Sequence, residues 1–299
     1  MVTEALTSAA TRPPCPICAA AASRQFASRS VSSRREATFF ICSGCGLHFQ
    51  RPDPEEDGRI FADVECVREK QGKKPEPGKQ KWWQLYDENV LRRAAELTPG
   101  RRLLDVGSGD GRFLLAARQA GFACEGVDIS PELAADAQRA SGVPVHVGAL
   151  PELRLPAESF DVVNLDLVLM YVPDPLALMQ EIARLLAPGG ICRVREFLND
   201  SLNARMHGPR WWFYADTTLR AYSRKSMSAL ARRSGLVTAR VFRGTDATRE
   251  TWRSQLRHRS GKGALESDLR YLLRRAHLLG RPLAGEVIYY LRKPTTAPS

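Results

Sequence analysis

The chain has 299 residues, 43% hydrophobic and 26% charged, with 44 Lys and Arg against 33 Asp and Glu. This ordinary globular composition excludes a collagen-like, fibrous or wholly disordered chain and leaves room for one large domain beside a small one. The charge is uneven: residues 1–199 carry 24 basic and 26 acidic side chains, residues 200–299 carry 20 and 7. Such a basic block could attract nucleic acid, an acidic carrier protein or a phosphorylated small molecule, or form a solvated helical surface. The most apolar stretch, 162–172, is broken by Asn164 and Asp166, short of the roughly 20 residues that span a membrane. Residues 1–14 hold Glu4 and lack the apolar core of a secretory signal, so a cytoplasmic protein with no membrane partner is expected.

Four of the seven cysteines form two C-x-x-C pairs, Cys15/Cys18 and Cys42/Cys45, with 23 residues between them; Cys66, Cys124 and Cys192 are scattered. One such pair alone would read as a redox couple. Two pairs in a segment too short to bury much apolar surface favour a metal, and four thiolates on tight knuckles suit tetrahedral zinc. With all four ligands from the protein, the site is closed and structural, expected at Cys15, Cys18, Cys42 and Cys45.

Residues 51–81 crowd proline, glycine and charge and read as a linker. Residues 82–97 then place Trp82, Leu85, Tyr86, Val90, Leu91, Ala94 and Leu97 near helical period before Pro99-Gly100 ends the run. Next come a strand at 102–106, a helix at 112–120, strands at 124–129, 145–147 and 161–165, and a helix at 131–140 that Ser130-Pro131 starts well. A helix at 174–186 closes on Pro188-Gly189-Gly190, before a strand at 191–194. The alternation predicts an α/β domain, a doubly wound and mostly parallel sheet. Residues 199–216, with Trp211, Trp212, Phe213 and Tyr214 but no period, are expected to form a loop or lid. A helix at 225–234, a strand at 237–242, Arg-rich helices and a last strand at 286–291 bring the sheet to seven strands. The expected division is a metal-binding domain at 1–60, a linker and leading helix at 61–98, and the main domain at 99–299 with its aromatic loop at 199–222.

Leu103-Leu104-Asp105-Val106 runs into Gly107-Ser108-Gly109-Asp110-Gly111 and an apolar helix, a strand, tight glycine turn and helix start that together suit a cofactor. Asp128, about 20 residues on, fits a ligand of ribose hydroxyls. The glycine pattern alone admits NAD, a nucleotide or S-adenosylmethionine. Asp105 and Asp110 flank the turn, repelling a pyrophosphate and attracting an ammonium and a sulfonium, so S-adenosylmethionine is the expected cofactor.

The runs LLDVGSGDGRFL, EGVDIS, SFDVVNLDLVLMYVPDP and EIARLLAPGG, over residues 100–195, resemble the class I S-adenosylmethionine-dependent methyltransferases in order and spacing. The resemblance implies a Rossmann-like fold and places Asp105, Gly107, Ser108 and Gly109 around the methionine part, Asp128 on the ribose and Ile129 against the adenine. Many relatives carry an Asp for the adenine amino group where this chain has Ala149, and Leu150 is the expected substitute through its backbone. ICSGCGLHFQRPDP resembles the zinc-ribbon front end of a bacterial subfamily from natural-product and sugar-modifying pathways, and SLNARMHGPRWWFYADTTLRAYSRKSMSALARRSGL resembles that subfamily's segment after the fifth strand. Where those relatives often show histidines, this chain has Tyr171 and Thr218.

Methyl transfer from a sulfonium is an in-line displacement with an activated donor, so positioning does most of the work and a base is optional. Tyr171, Asp166 and Glu196, each at or after a strand end, are candidate pocket groups, and His207 in the aromatic loop is another; Tyr171, Asp166 and His207 are the expected catalytic set. Tyr171 could equally pack against ligand, since an unperturbed tyrosine titrates near about 10. His146 reads as structural or exposed. The expected function is methylation of a small molecule, anionic or carrier-bound, in bacterial specialised metabolism. A ribosomal RNA methyltransferase, drawing on the basic last third, and a cofactor-binding protein with lost or altered chemistry are the alternatives. The acceptor atom and the oligomeric state are not legible.

Overall fold

The computed structural model describes residues 12–30, 34–51, 77–215, 217–243, 277–278, 281–282 and 285–295. Within them a seven-stranded sheet forms from β4 (Arg102–Val106), β5 (Ala123–Asp128), β6 (Val145–Val147), β7 (Phe160–Asp166), β8 (Leu186–Phe197), β10 (Val237–Arg243) and β13 (Glu286–Arg292). Its order is β10-β13-β8-β7-β4-β5-β6. The five strands from β8 to β6 are parallel, and β13 runs antiparallel to both its neighbours. This is the expected α/β sheet. Strand order reverses between β4 and β7, so their carboxyl ends open the crevice where such sheets bind ligands.

Strand alternation sends successive side chains to opposite faces. Leu103, Val162, Ile191, Ile288 and Tyr290 pack on one face with Tyr86, Val90, Leu91 and Ala94 of α1 (Pro77–Leu97) and Phe113, Leu114 and Ala117 of α2 (Arg112–Gln119). Leu104, Val163, Leu165, Cys192 and Val194 face the other way, onto Leu178, Met179, Ile182 and Leu185 of α4 (Pro175–Leu185). Near-continuous apolar strands follow from burial on both sides. The remaining helices are α3 (Pro131–Ser141), capped by Ser130 onto the Leu133 amide, α5 (Leu202–His207) and α6 (Arg224–Arg233), whose Ser223 and Ser226 form a capping box.

Several elements differ from expectation. The leading helix begins at Pro77, five residues early. Pro188-Gly189-Gly190 does not separate helix from strand: it lies inside β8, where the pairing steps from Phe160↔Leu186 to Val162↔Ile191 and Gly189 takes φ 80°. The stretch read as a loop or lid contains α5 and a 3-10 turn at Gly208–Arg210. Among the described residues the Arg-rich tail shows a short antiparallel pair, β11 (His277–Leu278) and β12 (Arg281–Pro282), while residues 244–276 lie outside them. Most of the linker and Cys66 also lie outside the described residues.

The amino-terminal strands β1 (Ala22–Arg29), β2 (Glu36–Cys42) and β3 (His48–Phe49) form an antiparallel sheet whose fourth strand, β9 (Arg220–Ala221), comes from the main domain. His48 faces Ala221 and Phe49 faces Arg220. No helix among the described residues is long and apolar enough to cross a membrane.

Candidate active site

At the end of β4 the chain turns through Gly107, Gly109 and Gly111, at φ 74°, 55° and 74°, a region that L side chains avoid. Packing adds its own demand. A Cβ on Gly107 would lie 2.7 Å from Val168 Cγ2, and one on Gly111 2.6 Å from the Ala137 carbonyl oxygen of α3. The Gly107 and Ser108 amides donate to the Val127 carbonyl at 2.8 and 3.1 Å, tying the turn to β5.

The expected cofactor residues gather around this turn. Asp128 accepts from the Gly109 amide at 2.9 Å and the Ser130 amide at 3.0 Å, and burial raises its pKa in spite of those bonds. Burial likewise pushes Asp105 up to about 8, against the opposing hydrogen bond from Asn164 at 2.7 Å. Ser108 Oγ is buried with no hydrogen-bond partner. Ile129, 42% exposed, stands on the rim beyond β5, and Leu150 is buried at the start of the turn Leu150–Glu152. Two desolvated carboxylates and an orphan hydroxyl make a donor set for a cationic, hydroxyl-bearing ligand, and S-adenosylmethionine fits that chemistry better than a phosphate does.

Register builds the other side of the crevice. Asp105, Asn164 and Arg193 stand in one row across β4, β7 and β8, and Asp166 and Arg195 in the next row on the same face. Arg193 donates to Asn164 Oδ1 at 2.8 Å, Asp166 at 3.2 Å and the Tyr86 hydroxyl at 2.6 Å, and that hydroxyl donates to Asp166 at 3.1 Å. Arg195 bridges Asp166 at 2.5 Å and Glu286 at 2.8 Å. Burial acts to raise the Asp166 pKa, but the charges of Arg195 and Arg193 and the bonds from Arg195 and Tyr86 outweigh it and hold it at about 2. Asp166 is therefore a fixed anion and a weak proton acceptor. Sequence reading picked out Asp166 but missed Tyr86, Arg193 and Arg195. The available signal was two arginines two residues apart inside an apolar strand, a placement that burial tolerates only with paired charges.

Glu196 points to the opposite face. It is fully buried; Oε1 accepts from the Met170 amide at 3.2 Å, Oε2 has no hydrogen-bond partner, and burial raises the pKa to about 8. The turn it holds, Leu169–Tyr171, carries Tyr171, 36% exposed. Tyr222 donates to the Leu169 carbonyl at 3.1 Å and Arg220 to the Pro173 carbonyl, so remote side chains fix this turn. His207 is exposed on α5, where Nδ1 donates to the Asn203 carbonyl at 2.9 Å. His146 lies 2.7 Å from Glu125. From the start of α2, the Arg112 guanidinium stacks 4.5 Å from the Trp83 ring of α1 and pairs with the buried Asp87 of the same helix as Trp83. The aromatic segment is packed: Trp211, Phe213 and Tyr214 are buried with Phe26 and Phe39 of the amino-terminal strands, and only Trp212 among the four rings is exposed.

The four paired cysteines bring their Sγ atoms within 4.8 Å of one another, with Cys15 to Cys45 at 3.6 Å and Cys18 to Cys42 at 3.4 Å. Thiolates at about 2.3 Å from a tetrahedral zinc stand about 3.8 Å apart, so this cluster could hold a metal ion. The Ile17 amide donates to Cys15 Sγ and the Cys45 amide to Cys42 Sγ, as tight knuckles require.

Residues 80–241 match the family model described as a methyltransferase domain. The chain is similar to the ubiquinone biosynthesis O-methyltransferase of Haemophilus ducreyi, 34% identical over 128 residues, 40% of this chain and 54% of that protein. It is 33% identical to the protein of that name from Paramagnetospirillum magneticum over 172 residues, 52% of this chain and 66% of the relative. The chain thus spans about half the length of the first of these relatives. Among solved structures, a chain from a complex of the Haloferax volcanii Trm112 methyltransferase activator with a methyltransferase superposes with TM-score 0.56, 18% identity and coverage of 80% of this chain and 99% of that one. The [4+2]-cyclase SpnF gives 0.55, 22%, and 83% and 99%. These two likenesses show the fold alone.

Proposed function

Because this chain belongs to the methyltransferase domain family, we propose that it transfers a methyl group from S-adenosylmethionine to a small-molecule acceptor, in bacterial specialised metabolism. The observation that carries the donor assignment is the pair of buried carboxylates, Asp105 and Asp128, around a glycine turn with an orphan Ser108 hydroxyl. In this reading Asp128 receives the ribose hydroxyls, Asp105 and the turn amides face the methionine end, Ile129 covers the adenine and the Leu150 backbone meets its edge. Bound there, the cofactor supplies a methyl group on a positively charged sulfur, already activated for displacement.

The chain's task is then to hold an acceptor in line and exclude water. Tyr171, the exposed member of the turn beside the crevice, is proposed to contact the acceptor. Asp166, fixed by its two arginines, contributes negative potential and gives Tyr86 a defined hydroxyl orientation, while His207 is given no step. A small-molecule acceptor agrees with the ubiquinone-pathway relatives, whose names describe O-methylation. The cysteine cluster is proposed to carry a structural zinc, since all four ligands come from the protein and no coordination position is left for chemistry.

Calorimetric titration of the purified chain with S-adenosylhomocysteine, followed by incubation of S-adenosylmethionine with fractionated metabolites, tests the proposal. Binding and formation of S-adenosylhomocysteine that depends on one fraction are expected. Tight uptake of NAD with indifference to both adenosyl compounds would overturn it.

A further inference from the structure

A groove enclosing about 580 Å³ lies where the amino-terminal strands meet residues 199–223, and it shares no lining residue with the glycine turn. That volume falls within the few hundred to about 1,000 Å³ typical of small-molecule sites. Phe26 of β1, His48 of β3 and Tyr214 line it; the Phe26 and Tyr214 rings meet edge to face at 5.0 Å, and His48 Nδ1 is 2.7 Å from the Tyr214 hydroxyl. Arg24 of β1 and Arg205 of α5 supply two guanidiniums, and neither forms a salt bridge among the described residues. Asp200 is different: Arg224 pairs with Oδ2 at 2.9 Å, while Oδ1 is buried with no hydrogen-bond partner. The groove therefore combines an apolar, aromatic lining, two uncompensated cations and one orphan acceptor.

Its walls are fixed rather than apposed. Ser28 Oγ donates to the Pro209 and Tyr214 carbonyls at 2.8 and 3.0 Å, Asn199 Nδ2 to the Gly46 carbonyl at 3.1 Å, and Ser223 Oγ to the Cys45 carbonyl at 2.9 Å. A cavity with hydrogen-bonded walls loses little order on binding, which favours affinity. The same backbone carries Arg220 and Tyr222, which hold the turn bearing Tyr171.

We propose that this groove binds a small amphipathic anion, an aromatic body ended by a carboxylate or phosphate and carrying a hydroxyl or amine. The aromatic body lies against Phe26 and Tyr214, the anionic end meets Arg24 and Arg205, and the hydroxyl or amine faces the Asp200 carboxylate. The assignment is independent of the reaction proposed above. It can be tested on the full, metal-loaded chain with 8-anilinonaphthalene-1-sulfonate as a fluorescent aromatic anion. One saturable site is expected, with affinity falling about tenfold or more in the double variant Arg24→Gln/Arg205→Gln, as loss of charge-assisted bonds requires. Both side chains are exposed, and unchanged S-adenosylhomocysteine binding by the variant shows that the fold is kept. Displacement of the probe by phenyl phosphate identifies a phosphate-bearing class and displacement by phenylacetate a carboxylate-bearing one. Displacement by neither, displacement by S-adenosylhomocysteine, or equal affinity in the double variant overturns the site.

Discussion

The two banks of the crevice are built on different principles. The bank at the end of β4 comes from one short run, where Gly107 to Gly111 set the turn and three hydrogen bonds, two to the Val127 carbonyl and one to Asp128, tie it to the adjacent strand. The bank after β7 is assembled from afar: Glu196, Arg220 and Tyr222 hold its turn, and Tyr86, Arg193 and Arg195 hold Asp166 beneath it. Local construction would let the proposed donor side bind one cofactor with few constraints on the rest of the chain. Remote construction makes the proposed acceptor side answer to the amino-terminal module, whose strand β3 pairs with the strand carrying Arg220.

The largest effect is expected where that dependence begins. Cys45→Ser should abolish metal retention and unfold the amino-terminal strands, since structural zinc can supply on the order of 10 kcal/mol of apparent folding free energy. Metal analysis and amide exchange together check it, and the contrast predicts that Met170 and Tyr171 lose protection while Gly109 does not. Next in size, Asp166→Ala takes one shared carboxylate from two buried guanidiniums, Arg195 keeping Glu286 and Arg193 keeping Asn164 and Tyr86, and should cost about 3 kcal/mol in denaturant unfolding. Asp128→Ala, on the local bank, leaves the Gly109 and Ser130 amides without their acceptor and should cost only about 1–2 kcal/mol in unfolding, yet weaken S-adenosylhomocysteine binding about tenfold to a hundredfold. Parity of the two banks in stability would remove the distinction.

A subtler effect concerns pH. Asp105 and Glu196 both keep their protons up to about 8 in the fold, whereas the unfolded chain releases them in the usual carboxylate range. Their contribution to stability is complete below that range and is lost as pH rises through about 8. The ligand-free protein should thus melt at falling temperatures between pH 5 and pH 8.5. Asp105→Asn and Glu196→Gln should each flatten that slope. Because a bound cation favours ionised Asp105, cofactor affinity should also climb with pH over the same interval, and Asp105→Asn should remove the climb. Smallest of all, Tyr171→Phe should change acceptor KM more than S-adenosylhomocysteine affinity, read by steady-state kinetics once an acceptor is in hand.

The same contrast explains what could be read from the sequence. The glycine turn, Asp105 and Asp128 were visible because their pattern rests on near neighbours in the chain, and the four cysteines because metal spacing repeats locally. The mostly parallel sheet followed from the alternation of strand-like and helix-like segments along the chain. Tyr86, Arg193 and Arg195 were not visible as a group, since only register aligns Asn164 with Arg193 and Asp166 with Arg195. Residues 199–216 looked like a lid because Trp211, Phe213 and Tyr214 have no helical or strand period; their partners, Phe26 and Phe39, lie far back in the chain. Pro188-Gly189-Gly190 looked like a stop because a bulge inside a strand uses the same residues as a turn.

The pairing of His48 with Ala221 also has a bearing on how the chain is made. A ribosome releases residues 12–51 long before residues 220–221, so the emerging cysteine knuckles can meet a metal early while their sheet stays one strand short. Completion must wait until residues 220–221 have left the exit tunnel, so this small module closes only after the strands of the parallel sheet, β4 to β8, have been made.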